Sequence, residues 1–350
     1  MWRKAKYMVS VGIIGCGKIS QVRHIPEYLD NQNSEIIGFF DFDINRAKDL
    51  AKKYGGKVYN SVDEMLSDSS INAVSVCTAN NSHADISIKA LKAGKDVLCE
   101  KPMAISLEEC IQMADVAKKT GKCLMIGQNQ RFAKAHVKAK SLIQNGLIGS
   151  VITFKTTFGH SGPETWSITP GPDVWFFDKT KAVMGAMADL GIHKTDLIQF
   201  LLDSSVVETT ACVTTLDKKY SDGTLIGVDD NAICIYKMDN GVIGTMIASW
   251  TYYGQEDNST ILYGSEGIMK IYDDPKYSIK VILKDGSEIL YNIDQIQTNN
   301  HQTASGIIDE FVDAIINKRR PIIDNESVLN AMKAVFCSLK SSEEGKTIKI

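Results

Sequence analysis

The chain has 350 residues and a formal net charge of −3, with 44% hydrophobic and 23% charged residues. This composition is that of a folded globular protein, and the length favours two domains. The near-neutral charge, without long like-charge blocks, excludes the basic surface expected of proteins that bind nucleic acid or an anionic membrane. We therefore expect a small-molecule partner.

Two further features of the sequence concern its compartment. The first residues lack the apolar core of a signal peptide, and no apolar run reaches the roughly 18 residues of a membrane span. The eight cysteines include no CxxC pair, and several lie in apolar runs. They are typical of reduced core thiols in a cytoplasmic protein, with a disulfide or metal role as the alternative; we predict no metal site.

Residues 1–127 alternate short apolar runs with helical patterns, beginning with VGIIGCG and ending with CLMIGQNQR. Such alternation predicts βαβ units and a parallel sheet covered by helices on both faces. The runs are almost continuously apolar, as expected for strands buried on both faces. We predict a doubly wound Rossmann domain over residues 1–127.

Residues 128–350 have a different pattern. A predicted helix over 133–144 is followed by strand-like runs, with hairpin turn signals at Met238–Val242 and Lys284–Ser287. Two helical patterns, at 304–317 and 328–341, close the chain. We predict a second, α+β domain over 128–350 with a large, mostly antiparallel sheet.

The first glycine-rich turn, Gly15-x-Gly17-x-x-Ser20, follows a predicted strand and opens a predicted helix. In this context the two glycines permit a tight turn and close approach of the backbone to a pyrophosphate, which sits at the helix N-terminus beside Lys18 and Ile19. Ser20 replaces the third glycine with another small residue. A glycine turn without a ligand is the alternative.

Asp41 ends the second strand-like run, 24 residues after Gly17. This is near the spacing expected of a carboxylate that binds the adenosine ribose. An acid at this position favours NAD, because it would repel the 2′-phosphate of NADP. Arg46 nearby keeps NADP open as the alternative.

Polar residues follow two later strands. Glu100-Lys101-Pro102 ends the run DVLC, and TANNSH, residues 78–83, ends the preceding strand. Because ligands of open α/β sheets bind at the carboxyl ends of strands, Lys101 is expected to face that cleft. Thr78 and Asn80 suit a turn beside the cofactor, and His83 is more typical of a helix start than of a catalyst.

The segment GAMADLGIHKTDL, residues 185–197, predicts a helix with Asp189 and His193 four residues apart on one face. A histidine can accept a hydroxyl proton near neutral pH while a carboxylate orients it. A buried histidine with a helical hydrogen-bond partner is the alternative, and Asp196 is a second candidate partner.

Taken together and in this order, VGIIGCGKIS, Asp41, TANNSH, EKP and DLGIHKTDL resemble the Gfo/Idh/MocA family, named for glucose-fructose oxidoreductase and inositol dehydrogenase. The resemblance covers nearly the whole chain, although Ala79 replaces a proline in the usual TPNxxH motif. It implies an NAD(P)-dependent enzyme acting on a secondary alcohol of a carbohydrate or polyol, and a homo-oligomer, dimer or tetramer, formed through the open sheet of the second domain.

The resemblance also implies roles for individual residues. Lys101 matches the family's active-site lysine, Asp189 its substrate-binding carboxylate and His193 its proton-transfer histidine. The segment 158–179 resembles its variable substrate loop. The predicted cofactor-binding residues are Gly15, Gly17, Lys18, Ile19, Asp41, Thr78, Asn80, His83, Glu100, Lys101 and Asn129. The predicted substrate-binding residues are Lys101, Arg131, His160, Trp166, Trp175, Asp189 and His193.

Several of these assignments have rivals. Tryptophan rings suit the C–H faces of a sugar, but packing beneath a loop explains Trp166 and Trp175 equally well. A domain-hinge role competes with ligand contact for Asn129 and Arg131, and Trp250 is expected in the sheet core.

The chemistry that these residues suit is oxidation of an alcohol. Neutral His193 can accept the hydroxyl proton while the Lys101 ammonium stabilises the developing charge on oxygen. Alternatively, if burial lowers the pKa of Lys101, the lysine accepts the proton. We therefore predict an NAD-dependent dehydrogenase of a sugar, inositol or glycoside. The alternatives are a glycosidase that uses transient oxidation by NAD and a non-catalytic sugar-sensing regulator.

Overall fold

The computed structural model describes residues 8–296 and 304–350. These residues form two compact units, each with its own sheet. The first unit contains residues 8–129 and 304–329, and the second contains residues 130–296 and 330–350.

The first unit is built on a parallel sheet. Its six described strands are β1 (Val9–Ile14), β2 (Ser34–Phe40), β3 (Lys57–Val58), β4 (Ala73–Val76), β5 (Asp96–Cys99) and β6 (Leu124–Ile126). They lie in the order β3-β2-β1-β4-β5-β6, and each neighbouring pair is parallel. The order reverses between β1 and β4, and such a reversal opens a ligand crevice at the carboxyl ends of the strands.

Helices connect these strands, and polar caps begin three of them. The helices are α1 (Ile25–Asp30), α2 (Ile44–Tyr54), α3 (Val62–Ser67), α4 (His83–Lys92) and α5 (Leu107–Thr120). Asp43, Ser61 and Ser106 accept hydrogen bonds from backbone N–H groups in the first turns of α2, α3 and α5. The predicted helix after the glycine turn contains a π-helical segment, Ser20–His24, before α1.

The chain returns to the first unit near its end. Glu27 accepts hydrogen bonds from the backbone N–H and the hydroxyl of Ser305, at 2.8 and 2.9 Å. The side chain of Asn31 donates to Asp309 at 2.6 Å. Because of these contacts, helix α8 (Ile307–Ile316) belongs with α1. The predicted division into 1–127 and 128–350 therefore differs from the structure over 304–329, which belong to the first unit. Helical periodicity alone does not reveal that the chain returns to this unit.

The second unit is built on a mixed, mostly antiparallel sheet. Its nine described strands are β7 (Val151–Gly159), β8 (Val206–Thr214), β9 (Asn231–Met238), β10 (Ile243–Ser249), β11 (Thr260–Gly264), β12 (Gly267–Ile271), β13 (Ile279–Leu283), β14 (Glu288–Tyr291) and β15 (Ile348–Lys349). They lie in the order β14-β13-β12-β11-β7-β10-β9-β8-β15. With the parallel first sheet, this confirms the predicted fold class.

One strand pair of the second sheet is parallel. Strand β10 follows β9 through a tight hairpin and then lies beside β7 in the same direction, with Ser249 opposite Gly159. The other pairs among the described strands of this sheet are antiparallel. The carboxyl ends of β7 and β10 therefore meet at one edge of the sheet.

Three helices complete this unit: α6 (Lys134–Gln144), α7 (Ile192–Leu202) and the part of α9 (Asn325–Glu344) that follows residue 329. Residues 192–199 of α7 are buried without interruption. Strand β9 instead alternates, with Ala232, Cys234 and Tyr236 buried and Ile233 and Ile235 about half exposed. One face of the sheet is therefore in the core, and the opposite face carries exposed apolar side chains.

Candidate functional site

The glycine turn after β1 has the backbone conformation that the motif predicts. Gly15 has a φ of +95°, and a Cβ atom there would lie 2.5 Å from the carbonyl oxygen of Cys77. A Cβ atom on Gly17 would instead meet no heavy atom within 4 Å. Gly15 is therefore required by close packing, whereas Gly17 borders open space at the start of the helix that contains half-buried Lys18 and Ile19.

Asp41 fixes the geometry of this turn from the end of β2. One carboxylate oxygen accepts a hydrogen bond from the backbone N–H of Cys16 at 2.6 Å, and the other accepts from the N–H of Asp43 at 2.8 Å. Charge-assisted bonds of this kind hold the carboxylate in place. The predicted ribose-binding acid thus lies directly beside the glycine turn.

A cleft of about 350 Å³ extends from this position. Its lining is aromatic near β2 and mixed polar and apolar near α3 and α4, and comprises Phe40, Phe42, Asn60, Ser61, Val62, Ser82, Asp85, Ile86 and Lys89. The nearby cations are paired, Arg46 with Asp43 at 3.5 Å and Lys89 with Asp85 at 2.8 Å.

His83 joins the turns that follow β4 and β5. Its two ring nitrogens lie 2.8 Å from the carbonyl oxygen of Pro102 and 3.1 Å from that of Thr78. Burial lowers the pKa of this histidine despite the two carbonyl contacts. The neutral ring donates to one of the two carbonyls, and both nitrogens face the protein's own backbone. His83 begins α4 after a short 3₁₀ turn that contains buried Asn80.

Glu100 is a buried partner of the helix that follows β1. Its carboxylate accepts a hydrogen bond from Nε2 of His24 at 2.8 Å, and Arg23 lies at 3.9 Å. Burial alone would raise the pKa of Glu100, but the hydrogen bond and charge of His24, with the charges of Arg23 and Lys101, lower it to about 2. The structure therefore gives the predicted cofactor contact Glu100 a role in joining β5 to this helix.

Lys101 follows Glu100 at the carboxyl end of β5 and is half-buried. Its backbone N–H donates to the Glu100 carboxylate at 3.2 Å, and its peptide bond with Pro102 is cis. Glu100, Lys101 and Pro102 thus each contribute to a single turn. Half-buried Asn129 follows β6, at the boundary between the two units.

In the second unit, Asp189 and His193 lie on consecutive helical segments. Asp189 is in a π-helical segment, Met187–Gly191, and His193 is in the first turn of α7. Both side chains are 7% exposed. The predicted helix is present, but its first turn is wider than an α-helical turn.

Asp229 anchors the beginning of this segment, a contact that the sequence analysis missed. Its carboxylate accepts hydrogen bonds from the N–H groups of Gly185 and Met187, each at 2.7 Å, and its carbonyl oxygen accepts from Ala186 at 2.8 Å. A Cβ atom on Gly185 would lie 1.8 Å from that carbonyl oxygen. The spacing of 44 residues between Gly185 and Asp229 gives no local signal for this contact.

His160 and Trp250 reach Asp189 from the ends of β7 and β10. The indole nitrogen of Trp250 donates to the carboxylate of Asp189 at 3.1 Å, and Nε2 of His160 lies 3.9 Å from the same oxygen. The ring of Phe158 packs 5.9 Å from that of His160 and 6.2 Å from that of His193. The predicted residues Asp189, His160 and His193 are therefore parts of one cluster within this unit.

The two predicted tryptophans of the loop pack around Phe176. Trp175 stacks on Phe176 with ring centroids 3.9 Å apart, and Trp166 meets the same ring edge-on at 5.2 Å. Trp166 also contacts His160 at 6.1 Å. The aromatic loop is thus continuous with the cluster of His160 and Asp189.

Arg131 lies beside α7. Its guanidinium makes a bidentate ion pair with Asp196, at 2.7 and 2.5 Å, and both side chains are buried. Asp196, the second candidate partner of His193, is therefore engaged by Arg131. Lys194 is also fully buried and donates to the carbonyl oxygen of Asn258 at 2.8 Å; burial lowers its pKa to about 7.

Among residues 8–296 and 304–350, no group of three or more His, Cys, Asp or Glu side chains could hold a metal ion. Within the same ranges, no helix has the length and apolarity needed to cross a membrane. All eight cysteines lie in the described ranges and are free thiols.

Two family models match this chain. The model of the oxidoreductase family with an NAD-binding Rossmann fold matches residues 9–128, and the model of the GFO/IDH/MocA C-terminal domain matches residues 136–270. This chain belongs to the Gfo/Idh/MocA oxidoreductase family. The predicted family is thereby confirmed, and the first unit is an NAD-binding Rossmann domain.

The similar proteins are dehydrogenases of sugars and inositol. Glucose-6-phosphate 3-dehydrogenase of Bacillus subtilis is 31% identical over 69% of this chain and 68% of its own. Myo-inositol 2-dehydrogenase of Thermotoga maritima is 25% identical over 97% of this chain and 98% of its own. The structure of a putative myo-inositol dehydrogenase from Sinorhizobium meliloti is 25% identical, with a TM-score of 0.80 over 98% of this chain and all of the other. Family members of this kind are carbohydrate oxidoreductases.

Proposed function

We propose that this protein is an NAD-dependent dehydrogenase that oxidises a secondary alcohol of a sugar, inositol or glycoside. One observation carries the proposal: this chain belongs to a family with sugar and inositol dehydrogenases, and it has Lys101 in EKP and Asp189 and His193 in DLGIH, the motifs that resemble those of the family. The first unit would bind the dinucleotide and the second the substrate.

NAD is the cofactor proposed for the first unit. The open space beside Gly17 would admit the pyrophosphate, and the carboxylate of Asp41 would accept hydrogen bonds from the adenosine ribose. Asp41 would repel a 2′-phosphate, and Arg46, the nearest arginine in sequence, is paired with Asp43. When bound, the nicotinamide supplies the redox step.

The proton chemistry belongs to the protein. Taking a hydride from a carbinol carbon requires loss of the hydroxyl proton, and we propose that His193 accepts it. The ammonium of Lys101 would stabilise the developing charge on the oxygen. Asp189 would accept a hydrogen bond from a substrate hydroxyl and so orient the sugar.

The substrate is proposed to be an unphosphorylated carbohydrate. The loop of residues 158–179 has a single basic residue, Lys179 at its end, so it lacks the basic cluster that would favour a sugar phosphate. The rings of Trp166 and Trp175 suit the C–H face of a sugar, and the buried Nε1 of Trp166 has no partner among the described residues. A sugar oxygen would satisfy that donor.

Absorbance of the reduced nicotinamide tests this function. The purified protein is supplied separately with NAD and NADP and offered myo-inositol, D-glucose, methyl β-D-glucopyranoside and D-glucose 6-phosphate. We expect absorbance to rise with NAD and an unphosphorylated substrate. No rise with any of these, together with release of methanol from the glucoside, would contradict the dehydrogenase and indicate a glycosidase.

We also propose that the protein is a homo-oligomer. The exposed face of the second sheet carries Ile233, Ile235 and Ile243, each about half exposed on neighbouring strands, and the family resemblance implies that a second copy covers it. Light scattering of the protein during size-exclusion chromatography should give a multiple of the chain mass. A single-chain mass would contradict the proposal.

A cytoplasmic location is proposed from the thiols. All eight cysteines are free, and disulfides are rare in reducing compartments. Fractionation of the source cells would test this location.

A further inference from the structure

We infer that Trp250 is a positioning residue that orients the carboxylate of Asp189 toward substrate. The inference rests on the proposed function, in which Asp189 binds a sugar hydroxyl. In the sequence Trp250 is indistinguishable from a core residue, and it is indeed fully buried. Its indole nitrogen nevertheless donates to the Asp189 carboxylate at 3.1 Å.

The ring of Trp250 is held on several sides. Its backbone N–H donates to the carbonyl oxygen of Asp230 at 2.8 Å, directly after β10. Phe177 packs against the ring at 5.9 Å between centroids and Phe176 meets it edge-on at 6.4 Å. Because tight packing fixes its rotamer, the indole N–H has a defined direction.

His160 supports the same orientation. Its Nδ1 accepts a hydrogen bond from the backbone N–H of Gly162 at 2.9 Å, so the neutral ring bears its proton on Nε2. Nε2 lies 3.9 Å from the oxygen of Asp189 that also accepts from Trp250. The N–H of His160 is thus near the carboxylate oxygen to which Trp250 donates, beyond the distance of a direct hydrogen bond.

The contact with Trp250 has a consequence for recognition. A carboxylate in a buried environment requires donors, and a bond to one oxygen restricts the rotation of the group. A carboxylate can accept several hydrogen bonds at once, so the bond to Trp250 is compatible with acceptance from a sugar hydroxyl. Phenylalanine at position 250 would retain an aromatic ring near Phe176 and Phe177 but would lose the donor.

A matched pair of variants separates positioning from core packing. Trp250→Phe and Tyr236→Phe each remove one buried donor from an aromatic side chain of this unit. The hydroxyl of Tyr236 lies 3.0 Å from that of Thr195, so Tyr236→Phe tests the cost of losing a buried hydrogen bond elsewhere in this unit. Thermal melting of both variants checks that they fold.

Kinetics with NAD, using myo-inositol and methyl β-D-glucopyranoside as substrates, then compare the two. We expect Trp250→Phe to raise the KM of the substrate that the wild type oxidises about tenfold, the loss typical of a hydrogen bond to a charged group. The KM of NAD should stay unchanged in Trp250→Phe, and both KM values should stay unchanged in Tyr236→Phe. Equal effects of the two variants on the substrate KM would overturn the inference.

A spectroscopic readout keeps the inference testable without turnover. In protein with ¹⁵N-labelled indole groups, loss of one resonance in Trp250→Phe identifies the N–H of Trp250. Asp189→Asn replaces a charged acceptor with a neutral one, so that resonance should move upfield while the resonance of Trp175 does not. An unmoved Trp250 resonance would overturn the inference. If the wild type is inactive on both substrates but the Trp250 resonance moves upfield in Asp189→Asn, the proposed substrates are contradicted. The contact between Trp250 and Asp189 is then still supported.

Discussion

The two units assemble their polar side chains from different distances along the chain. In the first, Gly15, Asp41 and Lys101 lie within two residues of the carboxyl end of a strand of one parallel sheet. In the second, Asp189 is surrounded by residues that follow β7 and β10, about 30 and 60 residues away in opposite directions. Parallel strand ends meet at one edge in both cases. A single parallel pair in a mostly antiparallel sheet therefore brings distant polar residues together in the same way as a parallel sheet does.

Histidines of the two units also differ in what their ring nitrogens contact. His24 and His83 of the first unit have both ring nitrogens engaged by side chains or backbone of that unit. In the second unit, His136 likewise has a ring nitrogen 2.7 Å from a backbone carbonyl, whereas His160 accepts from the loop backbone at one nitrogen and has the other 3.9 Å from Asp189. His24 and His83 thus hold turns of the first unit, and His160 lies beside the carboxylate of the candidate substrate-binding residue Asp189.

The largest effect is expected from Lys101→Met. If the Lys101 ammonium stabilises the transition state, its removal should lower turnover about a thousandfold, the effect seen when other enzymes lose one hydrogen-bond donor to the transition state. The affinity for NADH, measured by fluorescence titration, should change little. Undiminished turnover would remove Lys101 from the chemistry and leave catalysis to the second unit.

His193→Ala tests the second unit in the same assay. Loss of a general base should reduce turnover about a hundredfold and remove the limb of the pH–rate profile that reports its deprotonation. Activity should recover as hydroxide takes over at high pH. A variant whose profile has the same shape as that of the wild type would make His193 structural.

Glu100→Gln tests whether the first unit uses its polar groups for folding. The folded-state pKa of Glu100 is lowered to about 2, so its stabilisation is present above the unfolded pKa of about 4.5 and is lost as pH falls toward 2. A shift of this size corresponds to about 3 kcal/mol.

Urea unfolding between pH 6 and pH 2.5 measures this dependence. The wild type should lose stability across the range, and Glu100→Gln should be less stable at pH 6 with a flatter curve. Parallel curves for the two proteins would contradict the assigned pairing of Glu100 with His24.

The smallest effect is expected from Asp41→Ser. It removes the carboxylate beside the glycine turn, so the Kd of NAD should rise about tenfold and discrimination against NADP should weaken. The Kd values for both dinucleotides, measured by calorimetry, check this expectation. An unchanged ratio of the two would mean that another residue selects the cofactor.

Much of the first unit could be predicted because its signals are local. Gly15 and Gly17 follow a buried strand, and Asp41 and Lys101 end two others, so strand prediction alone brings them to one edge. The roles of Glu100 and His83 could not be read in this way. Their partners, His24 and the carbonyls of Thr78 and Pro102, are identified only by three-dimensional packing.

Less of the second unit could be predicted. The turn signals at Met238–Val242 and Lys284–Ser287 gave the correct hairpins, β9–β10 and β13–β14. The parallel pairing of β10 with β7 depends on a long crossover and leaves no local pattern. The contacts of Asp189 with Trp250 and of Gly185 with Asp229 follow from that pairing and from the packing of α7, so they were missed.

The close approach of Gly185 to Asp229 has a consequence for redirecting this enzyme to other substrates. Any side chain at position 185 would collide with the carbonyl oxygen of Asp229, so position 185, just before the π-helical segment that contains Asp189, tolerates little change. Residues 164–176 form short turns with several half-buried and exposed side chains. Libraries that alter substrate range should therefore vary this loop and keep residues 185–189 as they are.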